Sequence, residues 1–244
     1  MKKFKRHINL YELKIFTRTP FLALAAGFFG AVLIAPLTAA HANLITDGDF
    51  ETTQLSADFN GFEYVNGTLN NWLYSATGDH NGALLINAAS GAWHSSDQTG
   101  YSGNQFAGIQ GTGRISQSFS PVSSGTYSVS WLDAGRSRAL GYDFGNQNYT
   151  ASLYDETTGM LVEETSNDTT TDSAFSAKGF SGLLIAGDLY TLSFWGTAMT
   201  DQTALIDNVI VEDVMAIELP EPAALALFGI GLAGLGLILR RRAT

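Results

Sequence analysis

The chain has 244 residues, no cysteine, and 13 Lys and Arg against 23 Asp and Glu, a net charge of −10. Without cysteine there is neither disulfide nor thiol chemistry. The acidity is concentrated: between residues 43 and 219 four cations (Arg114, Arg136, Arg138, Lys178) face 21 acids, a net of −17. That excludes the basic patches that nucleic acid and anionic lipid require, and it suits solubility outside a cell and contact with divalent cations.

Taken in order, the chain opens with Lys2, Lys3, Lys5, Arg6, Lys14 and Arg18 against the single acid Glu12. Phe21–Leu37 is apolar, and Ala40-His41-Ala42 fits the small-x-small rule for cleavage. Residues 1–42 read as a secretory signal peptide with a helical core, handled by the general secretion machinery and leaving Asn43 as the mature N-terminus. An uncleaved N-terminal anchor is the alternative.

Residues 43–217 read as one domain. Its pattern is period two: Tyr127–Trp131, Tyr149–Leu153 and Tyr190–Phe194 alternate apolar and polar residues, which puts one face of each strand in a core and the other in water. Further strands are expected at Trp72–Ser75, Ala83–Asn87, Gln105–Gln110, Arg114–Phe119, Met160–Glu164, Phe175–Phe180 and Ala204–Val211. Turn clusters such as Ser123-Ser124-Gly125, Glu156-Thr157-Thr158-Gly159 and Ala186-Gly187-Asp188 separate them. The Thr-rich stretch within Glu163–Ser173 reads as an exposed loop. No amphipathic helix of three turns is visible. The fold class is all-β, an antiparallel sandwich of jelly-roll type.

Gly125–Trp131 and Gly187–Trp195 share a phrase, a glycine turn into a Tyr-led strand ending at tryptophan, with spacing that differs by one residue. This is two strands meeting one packing problem, and Trp131 and Trp195 are expected in the core. The opening Asn43-Leu44-Ile45-Thr46-Asp47-Gly48-Asp49-Phe50-Glu51, the middle Ile115–Trp131 and the late strand Leu205–Val211 together resemble galactose-binding-like jelly rolls, the fold of many carbohydrate-binding modules. That resemblance implies that Glu51 and Asp207 sit side by side and can hold a structural calcium ion, which takes hard oxygen ligands. If the opening is extended, Asp47, Asp49 and Glu51 share one face. Exposed acids and turn-makers are the other reading of these residues.

Catalytic chemistry is poorly supplied. There is no G-x-S-x-G elbow and no H-E-x-x-H, and His80 and His94 read as surface residues of polar turns. Pairs such as Asp155-Glu156, Glu163-Glu164 and Glu212-Asp213 point to opposite faces of a strand. The chain is therefore expected not to be an enzyme, although 21 acids leave room for a carboxylate pair. Aromatic planes can cover the apolar faces of sugar rings. Trp72, Tyr74 and Trp93, set among polar turn residues, are the candidates for an exposed platform, against a structural role for each. Arg136 and Arg138 either meet acidic sugars or are ordinary surface cations.

The tail closes the chain: Pro220-Glu221-Pro222, the uncharged apolar run Ala223–Leu239, and Arg240-Arg241-Arg242. Seventeen residues sit at the short end of what crosses a hydrocarbon core as a helix (~17–25), and the arginines favour the cytoplasmic side. Gly229–Gly234 fits G-x-G-x-x-G but lies inside this apolar run, where the pattern carries no meaning. From hydropathy alone an ordinary C-terminal anchor and a sorting signal are indistinguishable. With the Pro-Glu-Pro box, residues 218–242 resemble the PEP-CTERM sorting signal. That resemblance implies a Gram-negative host, an exosortase as partner, a membrane-anchored intermediate, and a final place at the cell surface or in an exopolysaccharide matrix. Two functions are in view for the domain, polysaccharide binding and a purely structural role, with a polysaccharide-acting enzyme third.

Overall fold

The computed structural model describes residues 42–58, 60–75, 81–138, 142–198 and 200–214. The signal residues through Ala40, the sorting-motif residues Pro220, Glu221, Pro222 and Arg240–Arg242, the 223–239 run, and His80 lie outside the described residues.

Alternation along the chain becomes alternation between two sheets. Among the described residues there are twelve strands and no helix. The strands are β1 (Phe62–Val65), β2 (Gly67–Leu69), β3 (Trp72–Ser75), β4 (Gly82–Asn87), β5 (Gln105–Gln110), β6 (Arg114–Phe119), β7 (Gly125–Gly135), β8 (Asn148–Asp155), β9 (Met160–Asp168), β10 (Ser176–Leu184), β11 (Tyr190–Gly196) and β12 (Thr203–Asp213). The first sheet is ordered β1-β4-β5-β12-β7-β10 and the second β2-β3-β6-β11-β8-β9. Every adjacent pair is antiparallel. From β5 onward the winding is that of a jelly roll: β5-β12-β7-β10 packs over β6-β11-β8-β9.

The core lies between the sheets. Tyr127, Val129 and Trp131 of β7 face Tyr149, Ala151 and Leu153 of β8 and Tyr190, Leu192 and Phe194 of β11, all buried. The larger apolar side chains among them, such as Val129, Leu153, Leu192 and Phe194, each contribute about 1.5–3 kcal/mol by leaving water. One charge enters this core. The Tyr149 hydroxyl donates to Asp133 Oδ2 at 2.9 Å, the Trp131 indole N–H donates to the Tyr149 oxygen at 2.7 Å, and Ser176 donates to Asp133 Oδ1 at 2.8 Å. Burial pushes the Asp133 carboxyl upward, and these donors pull it back.

A second, smaller core covers the outside of the first sheet. Leu84 and Ile86 of β4, Phe106 of β5 and Leu205 of β12 point outward, under Trp93 and Phe175. The 88–104 segment lies over them. Because both faces of β4 and β5 are buried, every residue of these strands is buried and no alternation shows.

Two sequence expectations are corrected here. The opening is not an extended strand: Asp47 and Phe50 take φ of 52° and 56°, and the Phe50 N–H donates to the Asp47 carbonyl at 3.2 Å. Close contact with β12 forces this turn. A Cβ on Gly48 would stand 2.1 Å from the Val209 carbonyl oxygen, while Val209 N–H donates to Gly48 O. Second, the Thr-rich stretch is not a loop through its length, since Glu164–Asp168 continues β9 against Asn148–Ser152. It is an edge strand, solvated enough to accept polar residues on both faces.

Candidate functional site

With the first sheet capped by the 88–104 segment, the outer face of the second is left open. The ladder registers place its outward side chains in rows. Ser75, Arg114, Trp195, Thr150 and Ser166 form one row across five strands. Leu73, Ser116, Ser193, Ser152 and Glu164 form the next, and Ser118, Thr191, Tyr154 and Leu161 the third. Ser116, Ser193, Ser152 and Thr150 point away from the core and are still buried, so taller neighbours wall them in. They form a hydroxyl floor. Trp195 borders the serine row on one side, Tyr154 and Leu161 border it on the other, and Leu73 closes its β3 end. Two depressions of about 810 and 700 Å³ follow this face and share Ser75, Arg114 and Glu156, which makes them one trough.

Arg114 is the cation of this surface. Its Nη2 donates to Ser193 Oγ at 2.6 Å, and its guanidinium carbon lies 5.9 Å from the Trp195 ring centroid. Among the described residues no carboxylate is in ion-pair range of it. The other cations are committed elsewhere. Arg136 is buried between the rings of Trp93 (3.8 Å) and Phe144 (3.6 Å) and pairs with Asp201 at 2.9 Å. Arg138 bridges Asp143 and Asp172, and Lys178 approaches Asp133. Neither Arg136 nor Arg138 lines the trough.

The aromatic platform expected from the sequence is not where it was placed. Trp72 and Tyr74 point into the core, the Trp72 indole N–H donating to the Asp47 carbonyl at 3.0 Å. Trp93 is buried in the outer core beneath Arg136. Polar neighbours in sequence marked turns, not exposure. His94 is buried as well, its ring nitrogens 2.7 and 3.1 Å from the Ala88 and Gln98 carbonyls, and burial lowers its pKa. The residue that reasoning from sequence missed is Trp195, which faces out. The signal was in the spacing: Tyr127 and Trp131 are four apart and share a face, whereas Tyr190 and Trp195 are five apart and cannot.

Of the four acids expected to hold calcium, the structure gathers Glu51 and Asp207 on one loop. Glu51 Oε1 accepts the Gln105 N–H at 2.6 Å and the Asn104 N–H at 2.5 Å. Asp207 accepts the Ser102 N–H at 2.5 Å and its own neighbour Asn208 N–H at 2.6 Å. Gly103 has φ +63°, and a Cβ there would strike Glu51. Asp207 is fully buried, and its carboxyl is pushed up to about 7. Burial is the main cause, backbone N–H donors oppose it, and the negative charges of Glu51 and Asp49 add to it. Asp47 is taken by the Thr52 N–H at 2.9 Å. Among the described residues no set of three or more His, Cys, Asp or Glu side chains is arranged to hold a metal. An ion here would rest on Glu51 and Asp207, with oxygens of another kind completing its shell.

The model of the PEP-CTERM protein-sorting motif matches residues 218–242. The tail is that motif, and it marks an exported protein with a C-terminal sorting tail. No curated protein matches the chain. Among solved structures it is similar to TmCBM61 in complex with beta-1,4-galactotriose, at 13% identity and TM-score 0.46, over 70% of this chain and 99% of that one. It is also similar to the CBM22-1 xylan-binding domain of Xyn10C from Paenibacillus barcinonensis, at 14% identity and TM-score 0.42, over 72% and 97%. A third is a family 35 carbohydrate binding module from Clostridium thermocellum, at 16% identity and TM-score 0.39, over 63% and 98%.

Proposed function

We propose that this is a surface protein, processed by an exosortase in a Gram-negative envelope, whose jelly-roll domain binds a polysaccharide along the trough of the second sheet. One observation carries the reading: a floor of buried outward hydroxyls between the Trp195 and Tyr154 rings, crossed by an Arg114 without a carboxylate partner among the described residues. Sugars offer apolar C–H faces to rings and hydroxyls to short polar side chains, so this pairing suits them. The trough is open and runs across strands, which suits a chain better than a single small molecule. The domain works as a binding module rather than an enzyme, placing its host's matrix polysaccharide at the cell surface.

Trp72, Trp93 and Trp131 are buried and Trp195 is partly exposed, so tryptophan fluorescence reads the trough directly. Titrating the 43–217 domain with the host polysaccharide should give a saturable change that Trp195→Phe removes. No change at millimolar sugar would leave the structural role. Release of reducing ends would restore the enzyme.

The same reading includes a structural calcium ion on Glu51 and Asp207. The support is a buried carboxyl beside two other acids, with no cationic side chain in ion-pair range among the described residues. A divalent cation would relieve that repulsion.

A further inference from the structure

We infer that the end of the sandwich from which the chain leaves for its tail is a lipid-contacting tip, seated on the bilayer that holds residues 223–239. This does not depend on glycan binding. It rests on the reading of residues 223–239 as a membrane span, and on where the apolar surface lies and where the chain exits.

Eleven large apolar side chains are exposed among the described residues, and six crowd one end: Val122, Met160, Leu183, Ile185, Leu189 and Val214. Val122 is 92% exposed and Leu183 66%. Hydrogen bonds make this end one surface. Gly187 N–H donates to the Pro121 carbonyl at 3.0 Å and Ala186 N–H to Ser124 Oγ at 2.8 Å. Glu156 N–H donates to the Leu189 carbonyl, and Leu189 N–H to Thr157 Oγ1, both at 2.8 Å. Val214 N–H donates to the Thr126 carbonyl at 2.8 Å, so the last described residue departs from this tip. Single exposed apolar residues are ordinary, whereas a cluster marks a contact surface. Tyr142, also exposed, lies in the β7–β8 connection at the opposite end.

The occupant follows from chain length. Eight residues, 215–222, separate Val214 from Ala223. At about 3.3–3.6 Å each they span no more than ~30 Å. While 223–239 is in a membrane, before an exosortase processes the tail, the tip cannot be farther from it than that. The tether turns a weak apolar contact into an intramolecular one at an effective concentration of order millimolar. Glu156, Asp188, Glu212 and Asp213 border the tip, so the contact is apolar and made with electroneutral lipid; charge attraction to anionic headgroups plays no part. Its effect is to stand the strands upright and hold Pro220-Glu221-Pro222 at the membrane surface.

Because the chain has no cysteine, a single introduced one labels uniquely. The full chain carrying Val122→Cys, Leu183→Cys or Tyr142→Cys is labelled with an environment-sensitive fluorophore and reconstituted into phosphatidylcholine vesicles with brominated acyl chains. The expected result is quenching at 122 and 183 and none at 142, unchanged by about 0.5 M NaCl. A second variant, Val122→Asp with Leu183→Asp and the label at Leu189→Cys, should lose the quenching and keep its melting temperature. Equal quenching at both ends, or none at 122, overturns the proposal. So does quenching that salt abolishes, which means headgroup electrostatics. Shielding at 122 that persists in detergent without lipid also overturns it, since the tail or a second copy then covers the tip.

Discussion

Arg114 and Trp195 stand opposite each other on the β6–β11 ladder, the guanidinium carbon 5.9 Å from the indole centroid. Neither belongs to the core, and each limits the other's freedom at the floor of the trough. Trp195→Ala should weaken polysaccharide binding about ten-fold or more, the loss of roughly 1.5 kcal/mol of ring contact. Arg114→Ala should weaken it as well. Both should leave the melting temperature within a few degrees, because both side chains reach solvent. Isothermal titration with the polysaccharide, beside a thermal melt, checks this. Unchanged affinity in both variants would remove the trough from the proposal.

Asp207 makes a prediction in pH. The carboxyl sits near 3.8 when unperturbed and is pushed up to about 7 in the folded state. Between those values the folded protein holds a proton that the unfolded chain has released. Stability from this group is therefore full below about pH 4 and is lost as pH rises through about 7, by a few kcal/mol (~1.4 per unit). Urea melts of the 43–217 domain in EDTA should show that decline, and Asp207→Asn should flatten it. Added Ca²⁺ should restore stability above neutral pH in the natural sequence and not in the variant. A melting temperature that ignores both Ca²⁺ and EDTA would remove the ion.

Asp133→Ala tests the buried network. It leaves the Tyr149 hydroxyl without an acceptor inside the core and strands Ser176 and Lys178. The expected cost is about 2–4 kcal/mol, from unsatisfied buried groups. Tyr149→Phe should cost stability by itself, since it removes the acceptor of the Trp131 indole N–H, and Asp133→Ala with Tyr149→Phe should cost less than the two single losses summed. Chemical denaturation of the single and double variants gives the coupling directly.

Arg136→Lys should destabilise the domain by about 2 kcal/mol although it keeps the charge. Lysine cannot lie flat between Trp93 and Phe144, nor reproduce the Nε and Nη2 donation to the Ala92 carbonyl at 3.2 and 3.0 Å. Near-ultraviolet circular dichroism should report the loosened Trp93. A variant as stable as the natural protein would show that the stack adds nothing.

How far the sequence reaches can be judged from single elements. Its alternating stretches fall inside β7, β8 and β11, because antiparallel strands with one dry face write their period into the chain. The short edge strands β1 and β2 left no such trace: half-exposed edges tolerate nearly any residue. Glu51 and Asp207 were paired through resemblance, and the loop at 102–105 brings them together across a separation no local pattern encodes.

What the sequence determined by itself was the sorting tail and the period of the middle, since a sorting motif and strand faces are local properties of composition and spacing. Which of the sheet's two outer faces stays open was decided only in three dimensions, when the 88–104 segment folded over one of them. That choice buried Trp93 and left Trp195 facing water. A side chain's exposure depends on what packs against it, and packing partners lie far away along the chain.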